Sequence, residues 1–388
     1  MDLSADQTFA LKNLTGWFYS TQKARKYVTL GGFAGTGKST LMALLRTNLH
    51  KQNKDLRVAF CSYTGKATRV LKQKLIDHKA LFENDSVGTI HALIYSPMVD
   101  ENTKEIIGWK RQEYMKADLI IVDEASMIDG VIWDDLLSYQ VPIIAVGDHG
   151  QLPPINGNFN LMTKPDFVLE EIHRQAKDNP IIGLSFLART EGKISPGVYG
   201  RGVKKLARSE PETGNEVEEI LSQFNRETLL LCGYNQTRIK LNHFIRTSLG
   251  FESQIPQAND RVICLRNNHG KEIYNGMLGS IFQISKKNDE WYSAHIMMDG
   301  EVDLYNGLIL SAQFNNRVGM NFTQKRGVTM KGDLFDFGYA LTVHKAQGSQ
   351  AKKVILFEER FGKMDEEMWR RWLYTGITRA EESLVIIG

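Results

Sequence analysis

Short, unbroken apolar runs punctuate the chain and alternate with stretches whose apolar residues recur at helical spacing. Arg57 to Cys61, Leu119 to Val122, Ile143 to Val146, Leu229 to Cys232, Val354 to Phe357 and Leu384 to Ile387 are the runs. Several lack the polar alternation of a half-exposed strand, which predicts strands covered by helices on both faces. Tyr27 to Leu30 predicts a further buried strand, and Leu41, Leu44, Leu45 and Leu49 after it lie at helical spacing. Strand and helix in alternation predict an α/β fold. Two segments break the rhythm. Leu93 to Val99 and Glu105 to Lys110 flank the polar turn Asp100-Glu101-Asn102-Thr103-Lys104, a pattern that predicts a β-hairpin. Arg261 to Arg266, Met277 to Ser285, Trp291 to Met298 and Glu301 to Tyr305 are successive β-like runs with Gly and Asn at the breaks, which predicts a small barrel. Gly307 to Leu334 shows no clear period.

Between the first strand and its helix stands Gly32-Phe33-Ala34-Gly35-Thr36-Gly37-Lys38-Ser39, which fits G-x-x-x-x-G-K-[ST] in full. A triphosphate needs many donors, and backbone N–H groups approach its oxygens only where side chains are missing; Gly32, Gly35 and Gly37 permit this. Lys38 supplies a point charge toward the β and γ phosphates, and the Ser39 hydroxyl is suited to Mg²⁺. The helix that follows favours anions at its N-terminus. Asp123-Glu124 ends the run Leu119 to Val122, where an aspartate is suited to hold Mg²⁺ through water and a neighbouring glutamate to take the proton of an attacking water.

Composition narrows the class. With 388 residues the chain has room for two or three domains, and 42% hydrophobic content suits a globular protein. No apolar run approaches a membrane span, and Asp2 and Asp6 argue against a signal peptide. Cys61, Cys232 and Cys264 form no C-x-x-C, which argues against a zinc or iron–sulfur module and fits a reducing cytoplasm. The net charge of +3 is nearly neutral, so any nucleic-acid groove is local.

The order of further motifs resembles the superfamily 1 helicases, in particular the RecD-like and Dda-like branch. Gln7, within Leu3-Ser4-Ala5-Asp6-Gln7, is similar to the glutamine that reads adenine. Ser62 to Ala67 and Thr89-Ile90-His91 resemble two DNA-contacting motifs, although Ser62-Tyr63 stands where a proline is common. Gly147 to Pro154 resembles the motif whose glutamine, here Gln151, senses the γ-phosphate, and His173-Arg174-Gln175 resembles one whose arginine reaches that phosphate. Ala340 to Ser349 and Tyr374 to Ala380 resemble the last two motifs, with Arg379 as the arginine finger and Gln350 departing from the usual glutamate. The resemblance adds Thr36, Thr40 and Gly348 to a nucleotide set that already holds Gly35, Gly37, Lys38 and Ser39. It places DNA contacts at Thr64, Lys66, Thr89, His91, Asn235, Arg238, Thr342, His344 and Lys345.

The resemblance implies two RecA-like P-loop lobes. The first is 1–176, with 93–112 as an inserted hairpin; the second is 177–257 with 335–388, interrupted by an SH3-like β-domain at 258–334. It implies ATP and Mg²⁺ as cofactors, single-stranded and forked or tailed duplex DNA as partners beside replication or repair proteins, no membrane, and 5′-to-3′ unwinding. Arg174 and Arg379 from opposite sides of a cleft would make hydrolysis depend on closure, since an arginine finger contributes roughly 10³–10⁵ in rate. The alternatives are a single-strand translocase or an ATP-gated DNA-binding switch without productive unwinding. A one-lobed small-molecule kinase on the same phosphate loop is argued against by the last two motifs. Lys38→Ala is expected to abolish ATP hydrolysis and leave the fold intact, because it removes a phosphate-directed charge and no core contact. Near-normal turnover in the folded variant would remove the phosphate site.

Overall fold

In the computed structural model, which describes residues 3–20, 25–99, 106–154, 159–171, 178–317 and 331–388, the unbroken apolar runs become the inner strands of two parallel sheets. The chain divides into two compact units, 1–182 and 183–388. In order, the first carries α1 (Ala5–Tyr19), β1 (Tyr27–Gly32), α2 (Lys38–Gln52), β2 (Val58–Ser62), α3 (Gly65–Asp77), β3 (Ser86–Thr89), α4 (Ile90–Ile94), β4 (Tyr95–Val99), β5 (Ile106–Arg111), β6 (Leu119–Asp123), α5 (Gly130–Leu137), β7 (Ile143–Gly147) and β8 (Phe167–Leu169). The helix α6 (Pro180–Thr190) spans the division.

The first sheet runs β3-β2-β6-β7-β1-β8, every pair parallel. Consecutive side chains of a strand point to opposite faces, and the core divides accordingly. Leu30, Phe60, Ile121 and Val146 pack with Leu14, Leu41, Leu45 and Leu71 from α1, α2 and α3. Cys61, Ile120, Val122 and Ala145 pack on the other face with Ile90, Ile94 and Trp133 from α4 and α5. Both faces are thus apolar, which is why these strands show no polar alternation. β4 and β5 stand apart as an antiparallel pair, Tyr95 opposite Arg111 and Pro97 opposite Trp109. The turn expected at Asp100 to Lys104 lies outside the described residues.

The second unit carries β9 (Gly197–Gly200), β10 (Val203–Leu206), α7 (Thr213–Ser222), β11 (Thr228–Cys232), α8 (Asn235–Ser248), β12 (Arg261–Cys264), β13 (Leu278–Lys286), β14 (Trp291–Met298), β15 (Leu304–Leu310), β16 (Phe335–Phe337), β17 (Ala340–Thr342), β18 (Ala351–Phe357), α9 (Glu366–Ile377) and β19 (Ala380–Ile387). One sheet has the order β17-β11-β18-β19-β10-β9, parallel except for the edge strand β9. The other, β15-β14-β13-β12-β16, is antiparallel throughout. Its last long strand differs from the expected run Glu301 to Tyr305. Glu301 lies in the turn, its N–H donating to Met298 O at 3.1 Å, and pairing begins at Leu304 and continues to Leu310. Gly307, first residue of the stretch without a clear period, belongs to the strand, paired with Ala294, and a Cβ there would crowd the Tyr305 hydroxyl.

The antiparallel sheet interrupts the parallel one, and its two roots are tied together by one buried network. The Arg246 guanidinium grips Asp260 with two bonds of 2.8 and 2.9 Å and donates to the carbonyls of Ser253 and Ile255. The Tyr339 hydroxyl donates to Asp260 Oδ1 at 2.8 Å. Asn242 Oδ1 accepts the N–H groups of Tyr339 and Ala340 at 3.1 and 2.8 Å. Asp260 precedes β12 and Tyr339 follows β16, so entry and exit of the insertion meet on α8. Removing one partner of a buried pair leaves an uncompensated charge. Arg246→Ala is therefore expected to lower the unfolding free energy by about 3–5 kcal/mol in denaturant melts. Arg57→Ala, which breaks the exposed pair with Asp118, should leave the midpoint where it is.

Candidate nucleotide and nucleic-acid sites

The phosphate loop joins β1 to α2 at the carboxyl edge of the first sheet. Gly35 and Gly37 both take the left-handed region, with φ of 80° and 78°. Gly37 caps α2 without any side-chain bond to its first N–H groups, which leaves those donors directed at the loop. A Cβ on Gly32 would meet Thr36 Oγ1 at 2.7 Å and Lys38 Cγ at 3.1 Å. The Lys38 ammonium donates to the carbonyls of Gly32 and Phe33 at 2.6 and 3.0 Å, so it lies across the loop.

Parallel register sets the neighbours. Gly31 pairs with Gly147, and Ser62 pairs with Asp123, so the residues following β1, β2, β6 and β7 share one edge. Asp123 Oδ1 accepts the Glu124 N–H at 3.0 Å. Burial pushes its carboxyl up from the ordinary range, against that bond and the charges of Lys38 and Lys74. Glu124 itself sits in the left-handed region at φ 54°, an uncommon conformation for a residue with a side chain. Past β7, the buried Asp148 accepts the Gly150 N–H at 2.9 Å and Gln151 Nε2 at 3.3 Å, which fixes the amide of the expected sensor.

The glycine cradle, the lysine across it and the helix N–H groups fit a polyphosphate. For a metal, Ser39 and Asp123 offer one hydroxyl and one half-buried carboxylate. Among the described residues no group of three or more His, Cys, Asp or Glu is able to hold an ion by itself. This fits Mg²⁺, which takes one or two protein oxygens and completes its shell from phosphate and water.

Gln7 is buried beside the loop. Its Nε2 donates to Thr36 O at 2.9 Å and its Oε1 accepts the Ser4 N–H at 3.2 Å, closing the capping box of α1. Asp6 has a part the sequence did not reveal: its Oδ2 accepts the N–H groups of Glu170 and Glu171 at 2.8 and 3.0 Å. Burial raises the Asp6 carboxyl, but the Ser4 hydroxyl and these amides outweigh it and hold the group below its ordinary value. Arg174, three residues beyond Glu171, lies outside the described residues. Lys74 was also missed. Its ammonium donates to Ser39 Oγ at 3.2 Å, and no phosphate signature contains it.

The expected DNA contacts of the first unit gather after β2 and β3. Thr64 and Thr89 cap α3 and α4, each hydroxyl accepting a backbone N–H at 3.2 Å, and Lys66 is half-buried on the first turn of α3. The His91 ring lies 6.0 Å from that of Tyr63 and 5.9 Å from that of Tyr95.

In the second unit, β11 and β17 run in parallel, so Asn235 on α8, Thr342 at the end of β17, and His344 and Lys345 after it share an edge. Burial pushes the His344 imidazole down; desolvation and then the Arg238 charge do the same to the Lys345 ammonium. Arg238 departs from the expected DNA contact. It is buried, donating to Asp336 Oδ2 at 2.8 Å and to Asn316 O at 2.9 Å, because β16 brings that carboxylate against α8. Gly348 is left-handed at φ 71°. Arg379 donates to the carbonyls of Thr375 and Ser349 at 3.0 and 3.2 Å and to the Thr378 hydroxyl at 3.1 Å.

Residues 2–207 match a family described as AAA domain, and residues 337–387 match one described as UvrD-like helicase C-terminal domain. The chain is similar to the ATP-dependent RecD2 DNA helicase of Deinococcus radiodurans, at 27% identity over 415 residues that cover 100% of this chain and 49% of that protein. It therefore spans about half the length of that relative. The RecBCD enzyme subunit RecD of Buchnera aphidicola subsp. Schizaphis graminum is 25% identical, covering 93% of this chain and 70% of the subunit. Among solved structures, Pif1 helicase coordinating in pairs at forked double-stranded DNA shares the fold, with a TM-score of 0.57 at 18% identity, covering 100% of this chain and 92% of that one.

Gly32→Ala tests the cradle. The added Cβ forces Thr36 or Lys38 to shift, and a fluorescent ATP analogue is expected to bind about tenfold more weakly, as when roughly 1.4 kcal/mol of binding is lost. The circular dichroism spectrum should be unchanged.

Proposed function

The chain belongs to the RecD-like and Pif1-like superfamily 1 helicases, a family of ATP-hydrolysing DNA motors, and we propose that it moves 5′ to 3′ along single-stranded DNA and separates the duplex ahead of it. The observation that carries the reading is the convergence, at one sheet edge, of the left-handed glycine loop with Lys38, the Asp123-Glu124 pair and the Asp148-held Gln151. That set handles a γ-phosphoryl group.

The loop from Gly35 to Thr40 binds the phosphates through its amides, and Gln7 reads the adenine. Transfer of the γ-phosphoryl group spreads negative charge over its oxygens, and positioned cations stabilise that charge. Lys38, Arg174 and Arg379 are the cations, with Gln151 as the sensor. Ser39 and Asp123 would hold Mg²⁺, which when bound would supply positive charge against the phosphate oxygens. Glu124 takes the proton of the attacking water. The hydrogen bonds of Arg379 run to Ser349 and to Thr375 and Thr378. Ser349 ends the motif that carries Thr342, His344 and Lys345, so a shift there reaches the finger, and this supports coupling between DNA and hydrolysis.

We read the first unit as one RecA-like lobe and the parallel sheet of the second as the other. DNA is held by Thr64, Lys66, Thr89 and His91 in the first, and by Asn235, Thr342, His344 and Lys345 in the second. Arg238 is a positioning residue that shapes the recess of Lys345. The β4–β5 pair serves as the pin that splits the fork, and Trp109, exposed on it, gives an aromatic face for an unpaired base. The antiparallel sheet is the SH3-like brace, and its tied roots make it a rigid one.

Strand displacement with defined tails tests the whole reading. A duplex with a 5′ single-stranded tail is expected to be unwound in the presence of ATP and Mg²⁺, and one with only a 3′ tail to stay paired. Replacing residues 96–108 by a short glycine-rich turn should abolish displacement and spare the ATPase activity stimulated by single strands. Equal unwinding from a 3′ tail would overturn the polarity. Stimulated hydrolysis without displacement from either tail would leave a single-strand translocase.

A further inference from the structure

With Ser39 and Asp123 as the magnesium ligands of the proposed function, a lysine that belongs to no phosphate motif bonds to the first and acts by charge on the second; its role rests on that reading of the site. Lys74, in the last turn of α3, donates from Nζ to Ser39 Oγ at 3.2 Å. Its charge also acts on the Asp123 carboxyl. Lys38 acts on that carboxyl as well, and more strongly, but its ammonium is bonded to the loop carbonyls of Gly32 and Phe33 rather than to Ser39. The Lys74 side chain is exposed, so it is free to swing away from Ser39 at little packing cost.

A ligand oxygen sits about 2.1 Å from Mg²⁺ in a nearly ideal octahedron. An ammonium within hydrogen-bond distance of the same oxygen stands close to a dication, and the two repel. Lys74 also offsets the negative charge of Asp123, which is the attraction a bare ion would feel. Both effects act against a metal ion arriving alone. A polyphosphate reverses them, because its oxygens outweigh one carboxylate in charge and give an ammonium other acceptors.

We propose that Lys74 competes with the divalent ion for Ser39 and Asp123, so that metal enters this site as its nucleotide complex rather than by itself. The competing explanation is local: a lysine in the last turn of a helix favours the carbonyl end of that helix. That role predicts no change in metal binding.

Mn²⁺ serves as a paramagnetic probe of the metal site, titrated into the full chain and followed by electron paramagnetic resonance with and without ADP. Lys74→Met is expected to bind Mn²⁺ about three- to tenfold more tightly than the wild type without nucleotide, the range expected of a partly screened charge. The difference should shrink when ADP is present, and Lys74→Arg, which keeps the charge, should behave as the wild type. No gain in Lys74→Met overturns the proposal, including the case in which neither protein binds detectably, and leaves Lys74 as a helix-end charge. Asp123→Asn separates that failure from failure of the site itself. It weakens Mn²⁺·ADP binding if Asp123 is a ligand, whatever Lys74 does. An Asp123→Asn protein that binds the complex like the wild type removes the metal site and this proposal with it.

Discussion

A chain that grips a polyphosphate must bring several backbone N–H groups and several charges to one point, and every other feature of the first unit follows from that crowding. Side chains would keep the backbone away, so glycines stand at positions 32, 35 and 37 of the loop, the last two left-handed. The charges need fixed positions, which the carboxyl edge of a parallel sheet supplies by register. β6 lies between β2 and β7, and β7 lies beside β1, so Asp123, Asp148 and the loop come together although they are far apart in the chain. Such a sheet requires helices on both faces, and the two apolar core clusters meet that requirement.

Opposite charges at close quarters leave little freedom to rearrange, and the protein uses its polar groups to hold them. Asp148 holds Gln151, the Asp123 carboxyl is capped by the next N–H, and Asp6 ties the first helix to the strand end at Glu170 and Glu171. The second unit repeats the style without phosphates. Asp336 holds Arg238, Asp260 holds Arg246, and the carbonyls of Ser349 and Thr375 hold Arg379. Buried arginines of this kind contribute orientation more than stability, since the desolvation of each pair offsets much of its attraction.

The inserted antiparallel sheet shows how the same constraint works at a larger scale. Both of its connections to the parallel sheet pass through residues that α8 binds, Asp260 by Arg246 and Tyr339 by Asn242. A domain tied at both roots to one helix moves with that helix. This gives the brace reading its physical content, because an untethered insertion transmits no force to DNA.

Much of this was legible in the order of residues alone. Unbroken runs such as Leu119 to Val122 specified inner strands, because full burial on both faces leaves no polar position to mark. The glycine loop specified a phosphate site, because its spacing serves backbone geometry and is local. Short edge strands such as Gly197–Gly200 were not legible, since three or four residues carry no period and their pairing is decided by what lies alongside. The strand's continuation through Gly307 to Leu310 showed no clear period, because the glycine's missing side chain answers to Tyr305, a contact that composition does not encode. Arg238 was expected among the DNA contacts from the resemblance alone, and a carboxylate nearly a hundred residues away, Asp336, holds it in the structure. Lys74 and Asp6 acquired partners only when the chain folded. Local geometry and hydrophobic period are properties of neighbouring residues, so the sequence determined the loop, the strands and the helices. Which charge meets which is a property of register and packing between distant segments, and the tertiary structure alone decided it.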